Sequence, residues 1–249
     1  MTRTQRVTGM IMGMAIAATA TAEAQSAAPS SRSPWSVDFG LGWDTSLSGN
    51  INSSGIGVIN DEAVVITKNS YEDVYGTGLH MKFGGGYMLD EISEVRVQFT
   101  IQSLDADLTP MGEIGVSRLY GQFQDYQSFG LDVGFRRYVD FTDLVRGYGE
   151  GTIGMAFIDE TDVVLVAPAA NLTGSATDFY DKTSAFTLGG NVGVLVQAHD
   201  RIGVYGQVGL RWVSGMSEVD GLVGTGLESI NDKSSRWTFP IIVGTRVRF

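Results

Sequence analysis

Ten charged residues fall at every second position within otherwise apolar, glycine-rich segments: Lys82, Glu94, Arg96, Asp132, Arg136, Arg146, Glu150, Arg211, Arg246 and Arg248. Brought together in a closed interior, they must pair with one another, because a buried charge without a partner is costly. Such a set makes either a salt-bridge network that fills a space or a narrow conduit lined by arginines. Motifs for covalent chemistry are scarce. There is no cysteine, so thiol nucleophiles, disulfides and cysteine-ligated metals are excluded. His80 and His199 are the two histidines, and no GxSxG elbow is present. "GEGTIG", Gly149 to Gly154, matches a dinucleotide-binding fingerprint in letters, but no helical pattern follows it and its glycines alternate along a strand. "DAD" (Asp105 to Asp107) and "DETD" (Asp159 to Asp162) could hold a divalent cation, but lack calcium-loop spacing and read as solvated charge runs. Neither a metal nor another cofactor is expected, and no catalytic residue is assigned.

The elements that must position the ten charges are strands. Period-two alternation recurs eight times, beginning with Trp35, Val37, Phe39, Leu41 and Trp43 against Ser36, Asp38, Gly40, Gly42 and Asp44. It returns over about 75–87, 94–102, 129–136, 145–157, 186–197 and 202–212, and ends in "WTFPIIVGTRVRF", Trp237 to Phe249. Connections alternate as well. Long polar ones span about 45–72, 105–127, 159–184 and 214–236, and short ones join the remaining pairs at Leu89–Glu91, about 139–144 and Ala198–Arg201. That order suits eight antiparallel strands closed up-and-down, with short turns on one side and long loops on the other.

The apolar phase could face a soluble core or lipid. The aromatics decide between them: Trp35, Trp43, Trp212 and Trp237 all lie in the apolar phase at strand ends, with Tyr75 and Tyr87 near ends too. Two girdles bounding an aliphatic band place aromatics there, whereas a globular core would place them mid-strand at least as often. We therefore read an all-β chain, a transmembrane up-and-down barrel of eight strands, with ten as the alternative. The charged phase points into a lumen that eight strands leave just wide enough for side chains to fill.

On these residues, and on the terminal run Ile241, Val243, Val247 and Phe249, residues 35–249 resemble the small porin-like outer-membrane β-barrels of Gram-negative bacteria. The opacity-type and outer-membrane-protein-A-type barrels look nearest. The resemblance implies an outer-membrane location, a monomer in lipid, and recognition of Phe249 and Val247 by the barrel-assembly machinery. It further implies a structural or surface-contact role through four extracellular loops, toward a ligand that the sequence does not name. The alternatives are a small passive channel and a lipid-modifying enzyme. An outer-membrane acyl hydrolase needs a Ser–His pair reachable from lipid. His80 lies in the polar phase beside Lys82 and does not supply one, so enzyme activity is not expected. Pro240 within the last strand removes a ladder donor and predicts a bulge near the outer rim. "GVSRLYGQFQDYQ", Gly115 to Gln127, alternates enough for a strand extension above the membrane or a short helix. "AVVI" and "VVLV" in the first and third long connections read as strand continuations or as a contact surface for a partner.

The N-terminus fits export: a short basic start with Arg3 and Arg6, a brief apolar stretch, and Ala22-Glu23-Ala24 before a cut at Gln25. Residues 25–34 read as a small polar linker. The formal net charge of −11 argues against nucleic acid as a partner.

Overall fold

The computed structural model describes residues 33–59, 61–170, 172–219, 222–231 and 235–249; the expected signal peptide and nearly all of the linker lie outside them. In chain order the strands are β1 (Trp35–Ser48), β2 (Asn50–Asn52), β3 (Gly55–Ile59), β4 (Glu62–Ile66), β5 (Asn69–Ser70), β6 (Gly78–Met88), β7 (Ser93–Leu104), β8 (Thr109–Ile114) and β9 (Ser117–Phe123). They continue with β10 (Tyr126–Asp140), β11 (Val145–Ile158), β12 (Thr161–Ala167), β13 (Leu172–Asp181), β14 (Thr183–Gln197), β15 (Ile202–Val213), β16 (Ser217–Glu218) and β17 (Arg236–Arg248). A short α-helix, α1 (Tyr71–Val74), lies between β5 and β6, and a 3-10 turn, Pro168–Ala170, follows β12.

Eight of these strands close into a barrel in the order β1-β17-β15-β14-β11-β10-β7-β6, every neighbour antiparallel. The eight alternating segments of the sequence are these strands. Closure matters because an open edge in hydrocarbon would leave backbone groups unsatisfied. Fifteen-residue β10, at ~3.3 Å per residue and tilted ~45°, rises roughly 35 Å, more than an apolar band needs. No helix among the described residues is long and apolar enough to cross a membrane.

The outward phase is aliphatic and aromatic: Phe129, Leu131, Val133 and Phe135 on β10 are all exposed, while Ser128, Gly130, Asp132, Gly134 and Arg136 are buried inside. Two aromatic groups bracket that band. At the end carrying the short turns, Trp35 meets Tyr87 edge-on with centroids 4.8 Å apart. At the other, Trp212 pairs in register with Trp237 and meets Phe186 edge-on, with Trp43 half-buried on the neighbouring strand.

Above the upper aromatics the rule inverts. The inward phase of β7 runs Arg96, Gln98, Thr100, Gln102 and then Leu104; that of β15 runs Gln207, Gly209, Arg211 and then Val213; that of β11 ends in Ala156 and Ile158. Water replaces lipid outside at that level, so apolar side chains turn inward. The long connections continue the wall as a seven-stranded sheet, β16-β13-β12-β9-β8-β4-β3. Its inner face is apolar, with Val64, Ile66, Met111, Leu119, Phe123, Val163 and Phe179 in one core. The fourth connection seals β3, where Val58 N–H donates to the Thr225 carbonyl and Ser53 N–H to that of Ile230, each at 2.7 Å. Gly115–Gln127 therefore contains a strand, β9, rather than a helix, and "AVVI" and "VVLV" are strand continuations in β4 and β12.

Pro240 interrupts one ladder. On the β1 side it pairs with Asp44 without a break, but between β15 and β17 the ladder lapses between Val208↔Ile241 and Arg211↔Thr238, with the same register on either side. The proline has no N–H to donate there, so the ladder lapses without the expected bulge, which would have shifted the register.

Candidate functional site: a charged lumen beneath an apolar cap

The alternation of the strands sends one side chain per two residues into a space that glycines keep open for the larger ones. Tyr205 lies over Gly40 and Gly244, where an added Cβ would come within 2.4 Å and 2.6 Å of its ring or hydroxyl. Gly193 admits Tyr148 in the same way.

Glu150 on β11 is the hub. It accepts from Arg136 Nε at 2.7 Å, Gln98 Nε2 at 2.6 Å and Lys82 Nζ at 3.4 Å, with Arg96 Nε at 3.2 Å. The Arg136 guanidinium also stacks 3.9 Å from the centroid of Tyr148. Nearer the short turns, Glu94 accepts from Tyr138 Oη at 2.7 Å and pairs with Arg246 and Arg96, while Asp38 pairs with Arg96 and Arg246. Nearer the cap, Arg211 Nη2 donates to Asp132 at 3.3 Å, which also accepts from Thr187 Oγ1 at 2.6 Å. Asp44 accepts from Gln102 Nε2 at 2.5 Å and Thr238 Oγ1 at 3.0 Å, and lies 3.4 Å from His80 Nδ1. A cavity of about 30 Å³ remains among His80, Lys82, Asp132, Gln207 and Arg211, room for about one water.

Eight of the ten sequence-selected charges, Lys82, Glu94, Arg96, Asp132, Arg136, Glu150, Arg211 and Arg246, thus meet in paired clusters along the lumen. Arg146 does not join them: it lies at the rim, bonded to the exposed Asp140 and, at 2.7 Å, to the Glu91 carbonyl. Arg248 is buried at the same end. Other polar participants lie outside the ten, among them Asp38, Asp44, Tyr138 and Arg236. Asp38 and Asp44 share the inward phase of β1 and were readable from it. Tyr138 and Arg236 lie in the inward phases of β10 and β17, beyond the segments assigned to those strands. Arg236 caps the charged layer, donating to Gln102 Oε1 at 2.8 Å with its guanidinium 3.9 Å from the Tyr126 ring and 5.2 Å from Tyr71.

The girdle assignment of Tyr75 is corrected. Tyr75 is only 1% exposed, below β6 in sequence and inside the cap, where it stacks on Tyr71 and donates to the Gln124 carbonyl at 3.1 Å. Burial drives its phenol pKa strongly upward. It precedes the strand because α1 folds inward, under a capping box between Ser70 and Asp73. Trp35, Tyr87 and Trp237 face outward and exposed, and Trp43 and Trp212 half-exposed, at the two ends of the band. Val247 and Phe249 also face outward, at the rim of the short turns. Among the described residues no group of three or more His, Asp or Glu is placed to hold a metal.

A closed eight-stranded sheet, apolar outside between two aromatic rings and charged within, decides the architecture. This is the architecture of a transmembrane β-barrel. No family model matches the chain, and no characterised protein matches it by sequence. Among solved structures it is similar to neisserial surface protein A, at 13% identity and a TM-score of 0.45 over 87% of this chain and 98% of that one. It is similar too to the outer membrane protein OprG from Pseudomonas aeruginosa, at 10% identity and 0.47 over 88% and 97%. The outer membrane protease OmpT from Escherichia coli aligns at 8% identity and 0.40 over 91% and 99%.

Proposed function

We propose that this outer-membrane barrel is a plugged scaffold whose working part is its extracellular end, acting by surface contact rather than by transport or catalysis. The observation that carries this is the double closure of the lumen: an ion-pair layer with room for about one water, then a continuous apolar core above it. The built part of the molecule is instead the extracellular sheet, an ordered wall rather than four free loops. Its outer face is acidic and mixed. Lys68, Arg118 and Lys182 are the basic residues among the described positions of the long connections, which carry acids in every one, among them Glu62, Asp73, Asp107, Asp125, Glu160 and Glu228. Ile56, 75% exposed, and Val65 pair across β3 and β4 on that face. A partner suited to it is cationic with an apolar element. The barrel acts as a monomer in lipid, delivered by the assembly machinery through Phe249 and Val247, and without a cofactor.

A narrow channel is the second reading, favoured by the cavity beside Lys82 and Asp132. Planar-bilayer recording of refolded protein distinguishes the two. No unitary conductance is the result expected, and regular steps would overturn the plugged reading. A catalytic role has less support, since His80 is buried against Asp44 and His199 lies in the turn between β14 and β15, with no serine hydroxyl bonded to either ring among the described residues.

A further inference from the structure

The lumen does not balance its own charge. Lys82, Arg96, Arg136, Arg211, Arg236, Arg246 and Arg248 are buried against Asp38, Asp44, Glu94, Asp132 and Glu150. Next to the cap, Asp44 and Asp132 offset Arg211 and Arg236. The excess of two positive charges therefore falls in the layer nearest the short turns, the periplasmic side. One cation there without a carboxylate partner is Arg248, the last of β17. Its backbone N–H donates to the Arg201 carbonyl at 2.7 Å and it sits opposite Ser36. The side chain is 9% exposed, and Nε and Nη2 have no partner among the described residues.

The carboxylates of that layer are already engaged. Asp38 and Glu94 each hold both Arg96 and Arg246. Asp140 holds Arg146. A guanidinium with two free, parallel donors is matched in shape to the two oxygens of an oxyanion. Position selects among sources: Arg248 points into the mouth, whereas Arg137, exposed on β10 at the same end, points outward to the leaflet.

We propose that Arg248 forms an anion site at the periplasmic mouth of the lumen, taking a small free oxyanion of the phosphate or carboxylate class. The anion offsets part of the positive excess of the ion-pair layer. The proposal does not depend on whether the barrel conducts or on what the extracellular sheet contacts.

Inorganic phosphate titrated into protein refolded in zwitterionic detergent, at constant ionic strength, tests it by calorimetry and by phosphorus NMR line width. Saturable binding is expected. Arg248→Gln should weaken it at least about tenfold, the loss of one charge-assisted pair. Arg137→Gln should leave it unchanged. In phosphate-free buffer Arg248→Gln should melt no lower than the parent, since it removes a charge that no described carboxylate engages. If Arg248→Gln fails to fold, Arg248→Lys, which keeps the charge and loses the fork, must bind phosphate more weakly. Binding that is unsaturable, unchanged in the Arg248 variants, or lost equally in Arg137→Gln overturns the proposal. The last result, together with binding that appears only in nanodiscs containing phosphatidylglycerol, would assign the chemistry to lipid headgroups instead.

Discussion

Glu150→Gln is the sharpest probe of whether the lumen is a dry ion-pair core. The substitution keeps shape and one acceptor oxygen but removes the negative charge shared by Arg136, Lys82 and Arg96. Breaking a buried pair by neutralising one partner costs ~3–5 kcal/mol. The lower end applies here because each cation keeps a second partner: Arg96 keeps Asp38, Arg136 keeps the Tyr148 ring, and Lys82 keeps Gln207 at 3.3 Å. We expect a loss of about 3 kcal/mol, read from urea unfolding in detergent micelles by tryptophan fluorescence. Adding Lys82→Met to the same protein restores the parental charge excess and should recover roughly half, a coupling characteristic of groups in direct contact. A cost below ~1 kcal/mol, the scale of solvated surface pairs, would refute the reasoning, since it requires the lumen to be water-filled.

Three further outcomes follow from the same geometry. Val133, half-exposed at the centre of β10 between Val97 and Ile153, should tolerate arginine poorly, at ~2–4 kcal/mol, while Val139→Arg at the rim should cost ~0–1 kcal/mol; equal costs in lipid-vesicle refolding would show that the outward band is misplaced. Deleting Phe249, which is largely exposed, should cost only ~1 kcal/mol in the finished barrel, yet lower the amount assembled in cells; a refolding defect in detergent of the same size would make it a structural element instead. The Asp73 carboxyl is held below its usual pKa of 3.8 by the Ser70 hydroxyl and N–H, so its contribution to α1 is present above that value and is lost as pH falls through the depressed one. The Tyr75 amide, bonded to the Tyr71 carbonyl at 2.8 Å, should stay protected in NMR exchange at pH 5 and lose protection on stronger acidification, and Asp73→Asn should lose it already at pH 5.

The barrel strands were legible because period-two alternation is imposed by the pleat itself and survives any loop chemistry. Phe129 to Arg136 could be assigned to faces without knowing a neighbour. The inner charges follow from the same phase, which on β1 also carries Asp38 and Asp44. Tyr75 was illegible for a physical reason. Its phase matched Leu79 and Met81, but the intervening turn of α1 rotates the chain and carries the ring inside. The extracellular sheet was only half-readable, since hairpins such as β3–β4 pair with segments from other connections and nothing local encodes that pairing. Arg146 illustrates a third limit: alternation gives a face but not a depth, and at the rim the inward face is already water.

The inversion of polarity near the upper aromatics turns each long strand into a depth gauge. Between Gln102 and Leu104, two residues apart on the same side of β7, the preferred substitution class reverses: below, hydrophobic replacements strip partners from charges, and above, polar replacements open the cap. A saturation scan would therefore show stripes of tolerance that slip by one position at a common height on β7, β11 and β15. That line would locate the water surface from genetics alone, with no lipid in the experiment. It also separates the responses of the two tiers: thinner bilayers or harsher detergents should strain only the lower one, while the upper tier, built like the interior of an ordinary aqueous protein, answers to heat and urea in the usual way.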